Sequence, residues 1–436
     1  MKPNIIILIS DALRPKDLSL YGRSKIYDSN LKRFASESTL FMKNFAVSTG
    51  SDPSNTSLFS GQYPTTSGFI HQHPFMRQKE VEKLKKNPFW LPLYLQREGY
   101  QTISATPLHL WFKKGFDSYT DKDSLKSGRF LDIPIIKRFL LALPNWAYSL
   151  GKRLVKLRAS PQFYPCNKVM DFAIGKIREM KEKPFFLFMH MVDTHYPYAI
   201  APIKNLNGSK TAREVTRDLP AKQREYIKKR FFDLNARNME QIEQKRDDSI
   251  EAFDMQVRRL HEFLKREELW DNTLVVILAD HGDNFGEHET YFCRGGLYDP
   301  SVHVPLIIHF PKIRPSVVQG LTQTIDIPAT ILDMLKGKKY KIDGKSLMGA
   351  AKNGKSTRES VFFTDAFCDK RYAVRTKSEK FIFNGDSVCY LCGARHAIKE
   401  KESYNLTEDY EEIINIYPEH KDMERLAKSS YNTNVY

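Results

Sequence analysis

Polar side chains that could do chemistry follow three apolar stretches of this sequence. Asp11 comes after "NIIILIS", His195 follows "FFLFMHMVDT", and Asp280 and His281 come directly after "LVVILA". Carboxylate oxygens and imidazole nitrogens are ligands for divalent cations, so these residues could hold one metal ion. A lone aspartate at the end of a strand is usually a turn residue or a helix cap. Their occurrence after separate strands favours a shared site instead.

A fourth candidate is Ser51, which lies in "STGSDPSNTSLFSG". Asp52 suits the cap of a helix and Pro53 its first position, so we expect Ser51 at a helix entrance whose free N–H groups favour a bound anion. One interpretation is an ordinary serine at a helix start. The other is a nucleophile, because a coordinated metal would help to deprotonate the hydroxyl.

These residues must be brought together by a sheet whose strands end at one edge. Five short runs rich in Ile, Val, Leu and Phe predict buried strands, at residues 4–10, 102–106, 185–192, 273–279 and 304–309. Helical patterns such as "NKVMDFAIGKIREMKEK" separate them. The alternation predicts an α/β fold with a large, mostly parallel sheet sandwiched between helices, and ligands bind at the carboxyl ends of such strands.

The sequence changes character after about residue 352. Stretches such as "SVFFTDAF" and "YAVRTKSEKFIFNG" are typical of short antiparallel strands, and "PEHKDMERLAKSS" is typical of a helix. We therefore predict a catalytic domain at residues 1–351 and a small C-terminal α+β subdomain at residues 352–436.

The formal net charge of the 436-residue chain is +16, which suggests an anionic partner or simply a surface rich in lysine. The basic residues are dispersed and lack interleaved aromatic residues, so no nucleic acid is expected. Five cysteines and the absence of an export signal or a membrane span favour reduced thiols and a cytoplasmic location. The pair in "CYLC" lacks a second cysteine pair, which argues against a zinc site there.

Residues 131–160 combine an apolar face with six basic side chains and a central Trp146. This composition is typical of an interfacial amphipathic segment. It predicts either a helical cap over the mouth of the site or peripheral contact with a membrane.

Taken in order, the motifs resemble the sulfatase family of the alkaline-phosphatase superfamily. The resemblance runs from "PNIIILISDALRPKDLSLYG" through "SDPSNTSLFSGQYP", "PFFLFMHMVDTHYPY", "LVVILADHGDNFGEHE" and "GGLYDPSVHVPLIIHFP" to "DGKSL". It covers roughly residues 3 to 350. It implies an alkaline-phosphatase-like fold and an anionic ester as substrate.

The resemblance also implies roles for individual residues. Ser51 falls where the family oxidises a cysteine or serine to formylglycine, whose hydrate attacks the sulfate. Asp11, Asp280 and His281, joined by the side chain of Ser51, become ligands of one divalent metal ion. That ion would be calcium in a sulfatase, and manganese, zinc or magnesium in a phosphoesterase.

Three further side chains are implied to contact the ester. His195 lies in the family's histidine–x–proline turn, His109 lies in "ATPLHL", and Arg294 takes the place of a lysine. Either histidine could protonate the leaving alcohol, and a guanidinium can clamp an oxyanion.

Three positions depart from the family pattern. Asn55 stands where an arginine closes the nucleophile motif, Pro107 replaces a lysine, and Ser10 replaces the first of two aspartates. Asn55 and Pro107 favour a serine that stays unmodified.

We therefore predict a metal-dependent sulfatase-family hydrolase that cleaves a sulfate or phosphate ester through Ser51. Two alternatives stay open. The first is a phosphodiesterase or phosphoryl-group transferase that uses unmodified Ser51, at a membrane surface in one version. The second is a non-catalytic protein that binds a polyanion.

Overall fold

A computed structural model of the chain describes most of its residues. They are residues 2–25, 27–106, 110–120, 165–180, 183–198, 201, 204, 206–208, 210–355, 358–385, 388–397, 399–419 and 421–432. His109, Pro107 and the segment 131–160 lie outside them, so the predictions for these residues stay predictions.

Twelve strands form two sheets in this part of the chain. The large sheet contains eight of them: β1 (Asn4–Ser10), β2 (Thr39–Phe45), β3 (Gln101–Ala105), β4 (Ser118–Thr120), β5 (Phe185–Met191), β6 (Thr273–Leu278), β7 (Leu306–His309) and β8 (Ser316–Gln323). The small sheet contains β9 (Val361–Thr364), β10 (Tyr372–Arg375), β11 (Glu379–Phe383) and β12 (Lys401–Asn405).

The large sheet has the order β4-β3-β5-β1-β6-β7-β2-β8. Every neighbouring pair is parallel except the two pairs that involve β7, which runs antiparallel to both β6 and β2. Because β1 lies between β5 and β6, the residues that follow these three parallel strands meet at one edge of the sheet.

Thirteen α-helices accompany the two sheets within the described residues. They are α1 (Ser29–Ser36), α2 (Ser51–Ser60), α3 (Pro64–Ser67), α4 (Gln78–Lys85), α5 (Leu91–Arg97), α6 (Cys166–Glu179), α7 (Ala212–Val215), α8 (Ala221–Leu234), α9 (Met239–Arg266), α10 (Asp299–Val302), α11 (Asp326–Met334), α12 (Met348–Asn353) and α13 (Lys421–Asn432). None of these helices combines the length and the apolar character that are needed to cross a membrane.

The large sheet has a hydrophobic core on each face. Alternate residues of β1 point to opposite faces, with Ile6 and Leu8 in one core and Ile5, Ile7 and Ile9 in the other. Helices α1, α6 and α9 contribute to the first core, and α2, α5, α11 and α12 contribute to the second. Burial on both faces explains why this strand is continuously apolar.

The small sheet is antiparallel, in the order β12-β11-β10-β9. Helix α13 packs on it through Met423 and Ala427, which contact the cluster that contains Val374 and Phe381. The fold class is therefore confirmed: a mostly parallel sheet between helices and a small C-terminal antiparallel sheet. The division at residue 351 stays a prediction.

Candidate active site

The ends of β1, β5 and β6 bring two carboxylates and two imidazoles into one buried cluster. Potential ligand atoms of Asp11, Asp280 and His281 all lie within 4.8 Å of one another. The Nε2 atom of His281 is 3.4 Å from Asp11 Oδ1 and 3.6 Å from Asp280 Oδ2. The sequence predicted that these three residues would lie together, and the fold brings them together.

His190 is a site residue that the sequence analysis missed. It lies on β5, it is buried, and its Nε2 is 3.2 Å from Asp11 Oδ2 and 3.7 Å from Asp280 Oδ2. An imidazole inside the strand "FFLFMHM" is a polar residue in a position that faces the core, and this signal could have identified it. The other site residues follow the strand ends, whereas His190 lies inside β5.

Backbone contacts fix Asp11 at the end of β1. Its N–H donates to the carbonyl of Met191 over 2.9 Å, which joins the ends of β1 and β5. The hydroxyl of Thr194 donates to the carbonyl of Asp11 over 2.7 Å, and Ser10 Oγ lies 2.7 Å from the same hydroxyl. Ser10 replaces an aspartate of the family pattern. Its hydroxyl contacts Thr194 and therefore has a structural role rather than that of a metal ligand.

The ring of His281 is oriented by its own backbone. Its Nδ1 lies 2.8 Å from the carbonyl of Gly282, so Nδ1–H is the donor and the Nε2 lone pair faces the cluster. A side chain at residue 282 would not fit, since a Cβ there would come within 2.0 Å of the carbonyl oxygen of Pro300. The close approach of these two backbones holds His281 in place.

The cluster has the charge and the free polar atoms of a cation site. Asp11 Oδ1 and Asp280 Oδ2 are buried and have no hydrogen-bond partner. Burial raises the pKa of Asp11, but His195, His190 and His281 outweigh it and hold that pKa well below its usual value. Two carboxylate oxygens without hydrogen-bond partners, beside an imidazole nitrogen that faces them, suit a divalent cation.

Ser51 is the first residue of α2, and its Oγ lies 3.0 Å from His281 Nε2. The prediction that Asp52 caps this helix is wrong, because Gly50 occupies the cap position. The carboxylate of Asp52 instead accepts from Gln72 Nε2 over 2.8 Å and from the N–H of His73 over 3.0 Å. These contacts with the loop after α3 pull the carboxylate away from the helix end.

Asn55 holds the first turn of α2 instead of pointing to an anion. Its Nδ2 donates to the carbonyl of Ser51 over 2.8 Å, and its Oδ1 is buried without a partner. Position 55 therefore carries no positive charge that could replace the arginine of the family motif.

Arg294 completes the group of residues around Ser51. Its Nη1 lies 2.8 Å from His281 Nε2 and its Nη2 lies 2.5 Å from His195 Nε2. The Nδ1 of His195 contacts the carbonyl of Tyr196, so Nδ1–H is the donor and Nε2 accepts from Arg294. Burial, with the nearby Arg294, lowers the pKa of His195 to about 4, so this imidazole is neutral at neutral pH.

Asn284 ties the loop after β6 to the segment that contains Arg294. Its Nδ2 donates to the carbonyl of Cys293 over 2.7 Å and lies 2.8 Å from Ser301 Oγ. Of the predicted site residues, Asp11, Ser51, His195, Asp280, His281 and Arg294 thus lie together, and His109 lies outside the described residues.

The family model "Sulfatase" matches residues 3–337. A second family model, "N-sulphoglucosamine sulphohydrolase, C-terminal", matches residues 286–432. The chain is similar to an N-acetylglucosamine-6-O-sulfatase of Bacteroides thetaiotaomicron, at 24% identity over 95% of this chain and 83% of that protein.

Solved structures show the same fold. A 2-O GAG sulfatase superimposes with a TM-score of 0.70, at 19% identity, over 99% of this chain and 91% of that chain. The phosphonate monoester hydrolase of Agrobacterium radiobacter superimposes with a TM-score of 0.66, at 18% identity, over 100% of this chain and 95% of that chain. The resemblance found in the sequence motifs is confirmed, and the chain belongs to the sulfatase family of sulfuric ester hydrolases.

Proposed function

We propose that the protein hydrolyses a sulfate ester by a metal-dependent reaction in which residue 51 is the nucleophile. The observation that supports it most is the position of Ser51 Oγ, at the start of α2 and 3.0 Å from His281 Nε2. A hydroxyl at this position faces a candidate metal site and lies at the positive end of the helix dipole, which favours an anion.

Asp11, Asp280 and His281 would hold one divalent cation, and His190 lies close enough to take part or to orient the carboxylates. When bound, the cation would polarise the ester and lower the pKa of the nucleophile. Calcium is the expected ion for a sulfatase, and manganese, zinc or magnesium for a phosphoesterase.

Arg294 and His195 would bind the sulfate group. The guanidinium of Arg294 is shared between two neutral imidazoles, so an arriving anion can take over its hydrogen bonds. When Arg294 turns to the anion, it no longer donates to His195 Nε2. The freed lone pair and the nearby negative charge both favour protonation of His195. The protonated ring can then supply the proton for the leaving oxygen.

The proposed reaction has two steps. The oxygen on residue 51 forms a bond to sulfur while the bond between sulfur and the leaving oxygen breaks, and the leaving oxygen keeps the electron pair and takes up a proton. With an unmodified serine, water then attacks the enzyme-bound sulfuryl group, the bond between sulfur and the serine oxygen breaks, and that oxygen takes up a proton, which releases sulfate and regenerates residue 51.

A phosphate ester is a second candidate substrate, and Asn55 favours it. Without the arginine of the family motif, Ser51 is expected to stay unmodified, and a serine alkoxide is suited to attack on phosphorus. An acceptor alcohol in place of water would make the protein a phosphoryl-group transferase, and residues 131–160 could then contact a membrane. A catalytically inactive polyanion-binding protein is the remaining alternative.

The identity of residue 51 can be tested by mass spectrometry and substitution together. Conversion to formylglycine removes two hydrogens from the peptide that contains Ser51, and an unmodified serine leaves its mass unchanged. If the serine acts unmodified, Ser51→Thr should keep part of the activity. If formylglycine acts, Ser51→Thr should be inactive, because a secondary alcohol cannot become an aldehyde.

Paired assays on an aryl sulfate and an aryl phosphate diester separate the two substrate classes. Ser57→Ala is the matched control, since Ser57 is buried on the same helix and its hydroxyl has no hydrogen-bond partner. Wild-type protein that is inactive on both esters, with anion binding unchanged in Ser51→Ala, would contradict the proposal of an enzyme that uses residue 51.

Metal dependence is tested by Asp280→Asn, with Asp193→Asn as the control. Asp193 is also a buried carboxylate near the end of β5, but it accepts from the N–H of Cys166 and is not in the ligand cluster. We expect Asp280→Asn to lose the activity and one bound metal ion while Asp193→Asn keeps both. Equal metal content in wild type and Asp280→Asn would show that the ligand assignment is wrong.

A further inference from the structure

Three cysteines and one histidine from distant parts of the sequence meet in a second buried cluster. Cys293 comes from the segment that precedes Arg294, and Cys389, Cys392 and His396 come from the segment between β11 and β12. The exposed fractions of Cys293, Cys389, Cys392 and His396 are 1%, 1%, 2% and 7%, so all four side chains are buried. None of the three thiols is in a disulfide.

The four side chains are close enough to share one metal ion, and the separations between Cys293 Sγ and the other two sulfur atoms match a tetrahedral centre. Cys392 Sγ and His396 Nε2 lie 2.7 Å apart, closer than they would be around a bound ion. Cys293 Sγ lies 3.8 Å from Cys389 Sγ, 3.7 Å from Cys392 Sγ and 3.5 Å from His396 Nε2. All four potential ligand atoms lie within 4.8 Å of one another. Zinc–sulfur bonds of about 2.3 Å at tetrahedral angles put two sulfur atoms about 3.8 Å apart.

The backbone around the cluster is shaped to bring these side chains together. Gly393 has a φ of +75°, and its N–H donates to the carbonyl of Cys389 over 2.8 Å, which closes a tight turn around the two cysteines. A Cβ at Gly295 would come within 2.1 Å of the ring of His396. Glycine at 393 permits the turn, and glycine at 295 leaves room for the imidazole.

The ring of His396 is oriented with Nε2 toward the sulfur atoms. Its Nδ1 lies 3.0 Å from Thr290 Oγ1, and that hydroxyl in turn donates to the carbonyl of His288 over 3.2 Å. The hydrogen of the Thr290 hydroxyl therefore points to that carbonyl. His396 Nδ1–H must then donate to Thr290 Oγ1, which leaves the lone pair on Nε2. Metal-binding histidines are commonly held by such a partner on the other ring nitrogen.

We propose that Cys293, Cys389, Cys392 and His396 bind one zinc ion. Three thiolates and one imidazole form a closed set of four ligands, which is typical of a structural zinc site and leaves no position for a substrate. The ion would link the small C-terminal sheet to the residue that precedes Arg294. This site is separate from the cluster of Asp11, Asp280 and His281, and it does not depend on the function proposed for that cluster.

The "CYLC" pair was expected to stay free of metal because the sequence shows no second cysteine pair. The missing ligands are instead Cys293, 96 residues away, and the imidazole of His396. A single distant cysteine leaves no spacing pattern, so only the fold reveals the complete ligand set.

Metal analysis of the intact protein tests the site. Protein expressed with zinc and purified without chelators should contain one zinc per chain that remains in the Asp280→Asn variant, where the other cluster is impaired. After exchange with cobalt, the thiolate ligands should give an intense sulfur-to-cobalt charge-transfer absorption, which oxygen and nitrogen ligands cannot produce.

Cys389→Ser should lose this zinc and the charge-transfer absorption, and Cys166→Ser should keep both. Cys166 is a matched control, because it is a buried free cysteine on α6 outside the cluster. His396→Cys supplies a fourth thiolate, so it should retain the metal and absorb more strongly, which covers the case that Cys389→Ser does not fold.

Three results would overturn the proposal. The first is wild-type protein without bound zinc whose five thiols all react. The second is a disulfide between cluster cysteines, seen as a loss of two hydrogens in the peptides that contain Cys293, Cys389 or Cys392, which a thiol reductant reverses. The third is a bound zinc ion that Asp280→Asn loses and Cys389→Ser retains.

Discussion

At the scale of single residues, Arg294 connects the two imidazoles that face the nucleophile. Its guanidinium donates to His281 and His195, and its ring contact with Phe367, at 5.5 Å from the ring centroid, helps to fix its position. A charged side chain held by neutral acceptors is arranged to bind an anion without large rearrangement, which is how electrostatic stabilisation of a transition state works.

We expect Arg294→Ala to lower kcat/KM by about 10²- to 10³-fold, because one preorganised donor to the developing charge is lost. Arg294→Lys should keep more of the activity, since it retains the charge and matches the residue type of the family pattern. Steady-state kinetics on an aryl sulfate checks both. Arg237→Ala, a change at an exposed arginine, should leave kcat/KM unchanged, and equal kinetics for wild type and Arg294→Ala would contradict the assignment.

Most of the candidate site could be predicted from single residues. Asp11, Asp280 and His281 follow apolar runs directly, and Ser51 begins a helix, so their positions could be identified without contacts. His190 stands out in the sequence as a polar residue inside an apolar strand, but its place beside Asp11 and Asp280 depends on which strands become neighbours. The fold also explains Asn55, whose amide is used within α2.

At the scale of elements, helix α2 places Ser51, and a buried carboxylate supports its first turn. Gln72 Oε1 accepts from the N–H of Asp52 over 2.8 Å, so a side chain outside the helix satisfies one free N–H group. Asp52 is 1% exposed, and burial raises its pKa to about 7.

The raised pKa of Asp52 predicts how stability depends on pH. The unfolded carboxyl has a pKa of about 3.9, so between about pH 4 and pH 7 the folded state keeps a proton that the unfolded state loses. Ionisation of the buried Asp52 carboxyl therefore destabilises the folded state, relative to the unfolded state, increasingly as pH rises. Asp52→Asn should remove this cost and become more stable than wild type by up to about 4 kcal/mol at pH 8, but not at pH 4.

Urea unfolding of both proteins between pH 4 and pH 8 measures this difference. Asp218→Asn is the control, since Asp218 is exposed. A stability difference between Asp52→Asn and wild type that does not change with pH would contradict the pKa argument.

The five predicted strands all exist, but the sequence did not indicate their direction. The run at 304–309 contains β7, which is antiparallel to both neighbours, and apolar periodicity carries no information on orientation. β2, β4 and β8 were not predicted. β8 lies at an edge of the sheet, and its first half exposes Val317 and Gln319, so its sequence is less continuously apolar.

At the scale of the whole molecule, a buried group of four ionisable side chains joins the small sheet to helix α10. Asp299, at the start of α10, contacts Arg375 of β10 at 3.2 Å and Lys380 of β11 at 2.9 Å. Lys380 Nζ also lies 2.5 Å from Glu412 Oε1. All four are nearly inaccessible to solvent, so each charge depends on its partners.

We expect Lys380→Met to lower the free energy of unfolding by about 3–5 kcal/mol, because it leaves two buried carboxylates with one remaining partner. Chemical denaturation measures the loss. Lys377→Met, at an exposed position three residues away, should change stability by less than about 0.5 kcal/mol. Similar stabilities for the two variants would show that this cluster does not stabilise the contact between the small sheet and α10.

The alternation of five buried strands with helices could be predicted from local patterns. The contacts between the small sheet and α10 could not, because Lys380 and Arg375 fit the pattern of ordinary strand residues and only the fold brings Asp299 beside them. The location of the protein in the cell and its partners stay predictions.

The central claim is that residue 51 is the nucleophile, and the value of kcat/KM for Ser51→Ala on an aryl ester that wild type hydrolyses tests it most directly. The metal content of both proteins must be measured and found equal, so that a lost metal ion cannot explain lost activity. Removal of the only attacking group should lower kcat/KM by at least about a thousandfold. Turnover by Ser51→Ala within a few-fold of wild type, at equal metal content, would contradict the claim.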